Sequence, residues 1–368
     1  MRRLLPLLTV LGAVACSSNV STMDATAPVD GSLTYFTDRT VHGPGARELA
    51  QVPLPGLRGA DGPAAAGTAD GRVIYATYTE RVEVDPMRTE AEQGIEPGTV
   101  LGRMSVRLAG PAGDHELVAG GFAPAVAQDG RIAVGLLDDP DDRFGADRSA
   151  AIAVLAPGST EPRRWTASDG LLTPVAWAGT ALLYAVPSGS GQLAAVRVTT
   201  GPGSDRPFAD SGVVVTVSPT GDRVLLAVPV PGGGERLSLQ LRDLSGATLS
   251  TLDSGLRWVG AGRWTPAGIT VVGAPAPGKL AALELDPLDG LRQRARHDLD
   301  YPADLATPPS EIAITTDGTS FGAATFVAGT RAPNTAWVVL GCSLTAHRCT
   351  RGDLPAGVHN TGFVGALP

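Results

Sequence analysis

Short apolar runs recur along the chain, and a glycine-centred break opens each one. In "VSPTGDRVLLAV" (217–228), Pro219, Thr220 and Gly221 interrupt the chain, and Val224, Leu225, Leu226 and Val228 extend it again. Aligned on that glycine, related stretches appear at Gly71, Gly130, Gly268 and Gly318, with a shorter-turned copy, "VAWAGTALLYAV", at Gly179. Four residues before the glycine stands an apolar residue (Val126, Val217, Trp264, Ile314), and three before it a Ser or Thr (Thr68, Ser218, Thr265, Thr315). The glycines are spaced by 59, 49, 42, 47 and 50 residues. A period of this length, with strands of alternating pattern, is that of a four-stranded propeller blade. Each copy reads as the hairpin from a blade's innermost strand to its second, where a tight turn uses glycine at positive φ. The Ser or Thr hydroxyl is suited to bonding the turn backbone. The blade-turn residues assigned on this pattern are Gly71, Gly130, Gly179, Ser218, Pro219, Gly221, Gly268 and Gly318.

The rest of each repeat fits outer strands: "SAAIAVLAP", "QLAAVRVTT", "RLSLQLRDL" and "KLAALELDP" alternate apolar and polar positions and end on Gly, Pro or Asp. The segment 85–98, "DPMRTEAEQGIEPG", reads as a loop insertion with room for one helical turn, and it accounts for the longest spacing. The fold expected is therefore all-β: a β-propeller of four-stranded antiparallel sheets occupying 32–368. Seven blades are expected, with six as the alternative. The last blade is composite, pairing "SLTYFTD" and "ARELAQVPL" near the N-terminus with "NTGFVGAL" near the C-terminus. Closing a ring in this way removes exposed sheet edges.

The Ser-Pro-x-Gly turn before a short apolar strand resembles the WD-repeat-like blade of TolB-type propellers. With the N-terminal features described next, the chain also resembles the propeller region of the actinobacterial lipoprotein LpqB. Only 218–221 carries the full motif; Asp70, Asp129 and Asp317 stand in other copies without the proline. No stretch is left for the additional N-terminal domain those families carry. The resemblance implies an envelope protein whose propeller face binds another protein.

"MRRLLPLLTVLGAVAC" has Arg2 and Arg3, an uncharged apolar run from Leu4 to Val14, and then Cys16. That is a secretory signal over 1–15, too short to persist as a membrane span. Ala13-Val14-Ala15-Cys16 resembles the bacterial lipoprotein cleavage box, which would place diacylglycerol on Cys16. The small, polar 16–31 then serves as a tether. Ordinary cleavage at an Ala-x-Ala site is the alternative. The two remaining cysteines, Cys342 and Cys349, flank a short hairpin loop and are expected to form a disulfide in an oxidising compartment. A zinc site with His347 is the other reading, but it lacks the further ligands zinc takes.

The 368 residues include 47 Gly and 30 Pro, so turns are abundant, while 43% apolar content supplies a core and argues against disorder. A net charge of −8 argues against binding nucleic acid or an anionic membrane by bulk electrostatics. Candidate chemistry is thin. "GTSFG" (318–322) matches a hydrolase nucleophile elbow, but Ser320 leads into a strand where that elbow needs a helix. The acidic run 138–147 offers oxygens for Ca²⁺ without the spacing of a known loop, and a solvated loop is the plainer reading. His42, His115, His297, His347 and His359 are scattered, "RGD" at 351–353 is a short string, and the five tryptophans (165, 177, 258, 264, 337) read as blade packing. No catalytic residue, metal ligand or cofactor is assigned. The expected function is a lipid-anchored, extracytoplasmic binding or scaffold propeller with an envelope protein partner, touching the membrane only through its lipid. Two alternatives stay open: an envelope enzyme, such as a metal-dependent lactonase or hydrolase, working in the central channel; or a ligand-sensing accessory to a membrane signalling protein.

Overall fold

The computed structural model describes residues 33, 35–37, 40–42, 48–51, 65–68, 72–78, 82–83, 100–101, 104–110, 113–137, 150–168, 172–186, 193–306, 308–329, 337–352 and 361–363. The signal, the tether, Cys16, Gly71, His359, the acidic run 138–147 and the 85–98 insertion lie outside them.

Six four-stranded antiparallel sheets each come from one continuous stretch: blade 1 over 65–119, blade 2 over 121–168, blade 3 over 173–209, blade 4 over 213–256, blade 5 over 258–299 and blade 6 over 311–352. These are six blades, the count given as the alternative, where seven were expected. A further four-stranded sheet is composite: Glu48–Gln51, Thr40–His42, Tyr35–Thr37 and Thr361–Phe363 lie side by side in that order. Its closing pair is antiparallel, with Tyr35 opposite Phe363 and Thr37 opposite Thr361, which is the N- to C-terminal pairing expected. A small ribbon, Val82–Glu83 with Val100–Leu101, interrupts blade 1 between its second and third strands.

The first strands of successive blades lie next to one another, so each blade's first strand is its innermost. Each seam between blades buries an aliphatic cluster. Val224, Leu226, Val196 and Val198 fill the seam between blades 3 and 4. Leu225, Leu239, Ile269, Val271 and Leu283 fill that between blades 4 and 5, and Leu280, Phe321, Val338 and Leu340 the next. Burial on both faces explains why second and third strands such as Arg223–Pro229 and Leu280–Asp286 read as nearly continuous apolar runs. Because each blade is a meander, the hairpins between first and second strands and between third and fourth emerge at one end, here the turn face. The connections between second and third strands emerge at the other.

Candidate functional site

The turn face is built from the repeated glycine hairpins. Gly130, Gly179, Gly221, Gly268 and Gly318 each join a first strand to a second, and all have positive φ, between 59° and 141°. The hydroxyl three residues upstream closes the turn. Ser218 Oγ accepts the backbone N–H groups of Asp222 (3.1 Å) and Arg223 (3.0 Å) and donates to Asp222 Oδ1 (2.8 Å). Thr315 Oγ1 accepts the N–H of Ser320 (3.2 Å) and lies 2.7 Å from Asp317 Oδ1. In blade 1, Thr68 Oγ1 accepts the N–H of Arg72 at 3.0 Å. Blade 2 has Ala127 at this position; its turn is closed by backbone bonds and by Asp129 Oδ1, which accepts the N–H of Arg131 at 3.1 Å. Pro219, which has no N–H to satisfy, sits exposed between Ser218 and Thr220. The Thr220 and Ser218 hydroxyls draw the Asp222 carboxyl below the usual carboxylate range, and Thr315 with the Thr319 backbone does the same for Asp317.

Neighbouring turns interlock. A Cβ on Gly221 would stand 2.3 Å from Gly179 N, so only glycine admits this approach, besides its φ of 70°. A Cβ on Gly318 would meet Thr265 Cγ2 at 2.6 Å and Thr270 Oγ1 at 2.7 Å in blade 5. From blade 2, Arg131 Nη2 donates to the Gly179 carbonyl at 3.2 Å, and its guanidinium lies 4.3 Å from the Trp177 ring centroid. Trp177 Nε1 in turn donates back to the Ala125 carbonyl of blade 2 at 3.1 Å.

Two polar triads have no counterpart in the sequence expectations. In blade 1, Tyr75 Oη donates to Asp114 Oδ1 (2.6 Å) while Arg107 Nη2 reaches Asp114 Oδ2 (2.7 Å). In blade 3, Tyr184 and Arg197 hold Asp205 in the same way. In both blades the tyrosine and arginine are directly opposite partners on the second and third strands. Burial first, then the hydrogen bond to Asp205, pushes the Tyr184 phenol up to about 12. Burial raises the Asp205 carboxyl, but the Arg197 and Tyr184 hydrogen bonds outweigh it and leave it below its ordinary range. Aligning "IYA" at 74–76 with "LYA" at 183–185, and "VRL" at 106–108 with "VRV" at 196–198, would have found them.

The remaining candidates stay apart. Cys342 and Cys349 are disulfide-bonded opposite partners, so neither sulfur is a free thiolate for the zinc reading with His347. Ser320 opens the strand Ser320–Phe326, with no helix after it, so "GTSFG" is not a nucleophile elbow. Trp165 and Trp177 meet edge to face at 5.7 Å. His42 lies on the second of the N-terminal strands and His115 on the outermost strand of blade 1. His297 bonds Glu284 at 2.8 Å, and its ring lies 5.0 Å from that of His347. Arg351 and Gly352 close an edge strand, and Asp353 is outside the described residues. Among the described residues, no group of three or more His, Cys, Asp or Glu side chains could hold a metal ion.

No family model matches the sequence, and no curated protein matches it. Solved structures do. An oligogalacturonate lyase in complex with manganese is 10% identical with a TM-score of 0.54, covering 90% of this chain and 88% of that one. A puromycin-hydrolyzing peptidase of Mycobacterium tuberculosis is 14% identical with a TM-score of 0.53; the match covers 92% of this chain and 56% of the peptidase. TolB from Acinetobacter baumannii is 12% identical with a TM-score of 0.45, covering 91% and 67%. At these identities the likeness shows the fold alone. The chain is a β-propeller of four-stranded antiparallel sheets.

Proposed function

We propose that this chain is a lipid-anchored, protein-binding propeller on the outer face of a bacterial cell membrane, and that it docks its partner on the turn face. The observation that carries the reading is the interlocking of adjacent turns: Arg131 onto Gly179, Gly179 against Gly221, and Gly318 against Thr265 and Thr270. A broad surface whose loops are already fixed loses little conformational entropy on binding. The exposed Thr220, Asp222, Thr316 and Asp317 project from it at set positions. In this reading 1–15 is removed, Cys16 carries the lipid and 16–31 is the tether. The composite sheet serves as a seventh, closing blade, supported by its place between blades 6 and 1.

A photo-crosslinking residue at Thr220 or Thr316 tests the reading. It is expected to yield an adduct of one defined mass in intact envelopes, whereas the same residue at Glu235, on the connection between second and third strands of blade 4, yields none. Adducts from Glu235 alone would overturn it. A stoichiometric cation in the purified protein would instead favour the enzyme alternative. Cys16→Ala is expected to move the protein from the detergent phase to the aqueous phase.

A further inference from the structure

We propose that Arg263 anchors a binding site for a small oxyanion, a carboxylate or phosphate group, at the turn-face end of the seam between blades 5 and 6. The innermost strands place equivalent residues at one level around the axis. Val126, Trp177, Val217, Trp264 and Ile314 each pack into the seam with the preceding blade. The residues just before them are Ala125, Ala176, Thr216, Arg263 and Ala313, and the matching position in blade 1 is Ala66. Ala125, Ala176 and Ala313 pack among apolar side chains in their seams, whereas blade 5 places a long cation at the equivalent position.

Arg263 stands directly opposite Thr270, whose hydroxyl donates to the Gly318 carbonyl of blade 6. Opposite partners on adjacent antiparallel strands share a face, so Arg263 leaves its strand toward blade 6. There it is half-buried and, among the described residues, makes no hydrogen bond or ion pair. Burial lowers its pKa, and no described carboxylate is near enough to oppose this. The other partly buried arginines among the described residues are each paired within the protein: Arg107 with Asp114, Arg131 with Asp129, Arg197 with Asp205, Arg223 with Asp222, and Arg242 with Gln240 and the Phe208 carbonyl. A desolvated charge without a partner destabilises a fold. A half-buried guanidinium kept free in this position is arranged to receive a planar or tetrahedral oxyanion through its paired N–H groups.

Calorimetric titration of the purified protein with succinate, and separately with inorganic phosphate, at constant ionic strength tests the site. At least one anion is expected to bind saturably, and the two arms tell which chemistry the site prefers. Affinity is expected to fall at least tenfold in Arg263→Gln and to be unchanged in Arg257→Gln, an exposed arginine on the other face. Without anion, Arg263→Met is expected to melt at or above the wild-type temperature, because it removes an unpaired charge. Failure of both anions to saturate the wild type would overturn the proposal. So would undiminished binding by Arg263→Gln, or an Arg263→Met protein that melts several degrees lower, since the arginine would then be structural. None of these readings depends on protein docking at the turn face.

Discussion

The seam between blades 2 and 3 and the seam between blades 4 and 5 each receive a tryptophan from an innermost strand, and they treat it differently. Trp177 enters a seam where Ala125, Ala127 and Ala133 stand beside Ile152, Val154, Leu172, Leu182 and Tyr184. Its indole N–H is bonded to Ala125 and its ring lies under Arg131. Trp264 enters a seam filled by Leu225, Leu239, Ile269, Val271 and Leu283, and its N–H is buried with no partner among the described residues. Small side chains leave space that one large ring must fill in one orientation, so polar bonds that fix the ring matter there. A leucine-rich seam is held by aliphatic burial and tolerates an unmatched donor. The turns repeat the contrast: Gly179 is gripped by Arg131 and by the close approach of Gly221, whereas a Cβ on Gly268 would strike Leu285 of its own blade.

The largest effect is expected where two turns meet. Gly221→Ala forces a Cβ into Gly179 and imposes positive φ on a residue with a side chain, and should cost about 3–5 kcal/mol by denaturant unfolding. Gly130→Ala has a similar φ, 84°, but its nearest neighbour, Pro157, is 3.6 Å away. It should cost only about 1–2 kcal/mol, the conformational part alone. Equal costs would mean that the turns are not interlocked.

Next comes the pair of tryptophans. Trp177→Phe and Trp264→Phe remove similar volumes, so their difference isolates the indole N–H. Trp177→Phe leaves the Ala125 carbonyl without its donor and should be the more destabilising by about 1–2 kcal/mol. Trp264→Phe also removes a buried, unmatched group, which offsets part of the lost volume. If Trp264→Phe proved the costlier, the distinction between the two seams would fail.

The triad in blade 3 borders the seam of Trp177 through Tyr184, and pH probes it from both sides. Asp205 has a lowered carboxyl pKa in the fold, so its contribution is present above the ordinary carboxylate pKa and is lost as pH falls through the folded value. Tyr184 is raised to about 12, so its contribution is whole below the ordinary phenol pKa near 10 and is lost between about 10 and 12. Stability curves should therefore flatten in the acid window for Asp205→Asn and in the alkaline window for Tyr184→Phe. Unchanged slopes would show that the triad does not couple to folding.

These particulars also mark how far the sequence could be read. The hairpin glycines, the hydroxyl before them and the cysteine pairing are local signals: a turn dictates its own residue types, and a short loop limits where its ends can meet. The triads and the seams are not local. Tyr184 meets Asp205 only because a meander lays second, third and fourth strands side by side, and Arg263 stands out only once six innermost strands are brought to one level. A composition of scattered arginines and tyrosines carries no such register. The resemblance to TolB-type blades reached the fold and no further, since an oligogalacturonate lyase and a puromycin-hydrolyzing peptidase share that fold at 10% and 14% identity.

The smallest effect tests the lock from the side of blade 2. Arg131 joins three things: Asp129 in its own turn at 2.8 Å, the Trp177 ring, and the Gly179 carbonyl. Its Asp129 partner is largely solvent-exposed, so that pair contributes little. Arg131→Met keeps a side chain long enough to cover the ring and deletes the cation and the bond across the seam, and should cost about 0.5–1 kcal/mol. Combined with Trp177→Phe the two losses should fall short of additive, because both act on one ring; combined with Trp264→Phe, two seams away, they should add. Additivity in both pairs, measured in a double-mutant cycle, would place Arg131 outside the lock and leave Trp177 held by its single bond to Ala125.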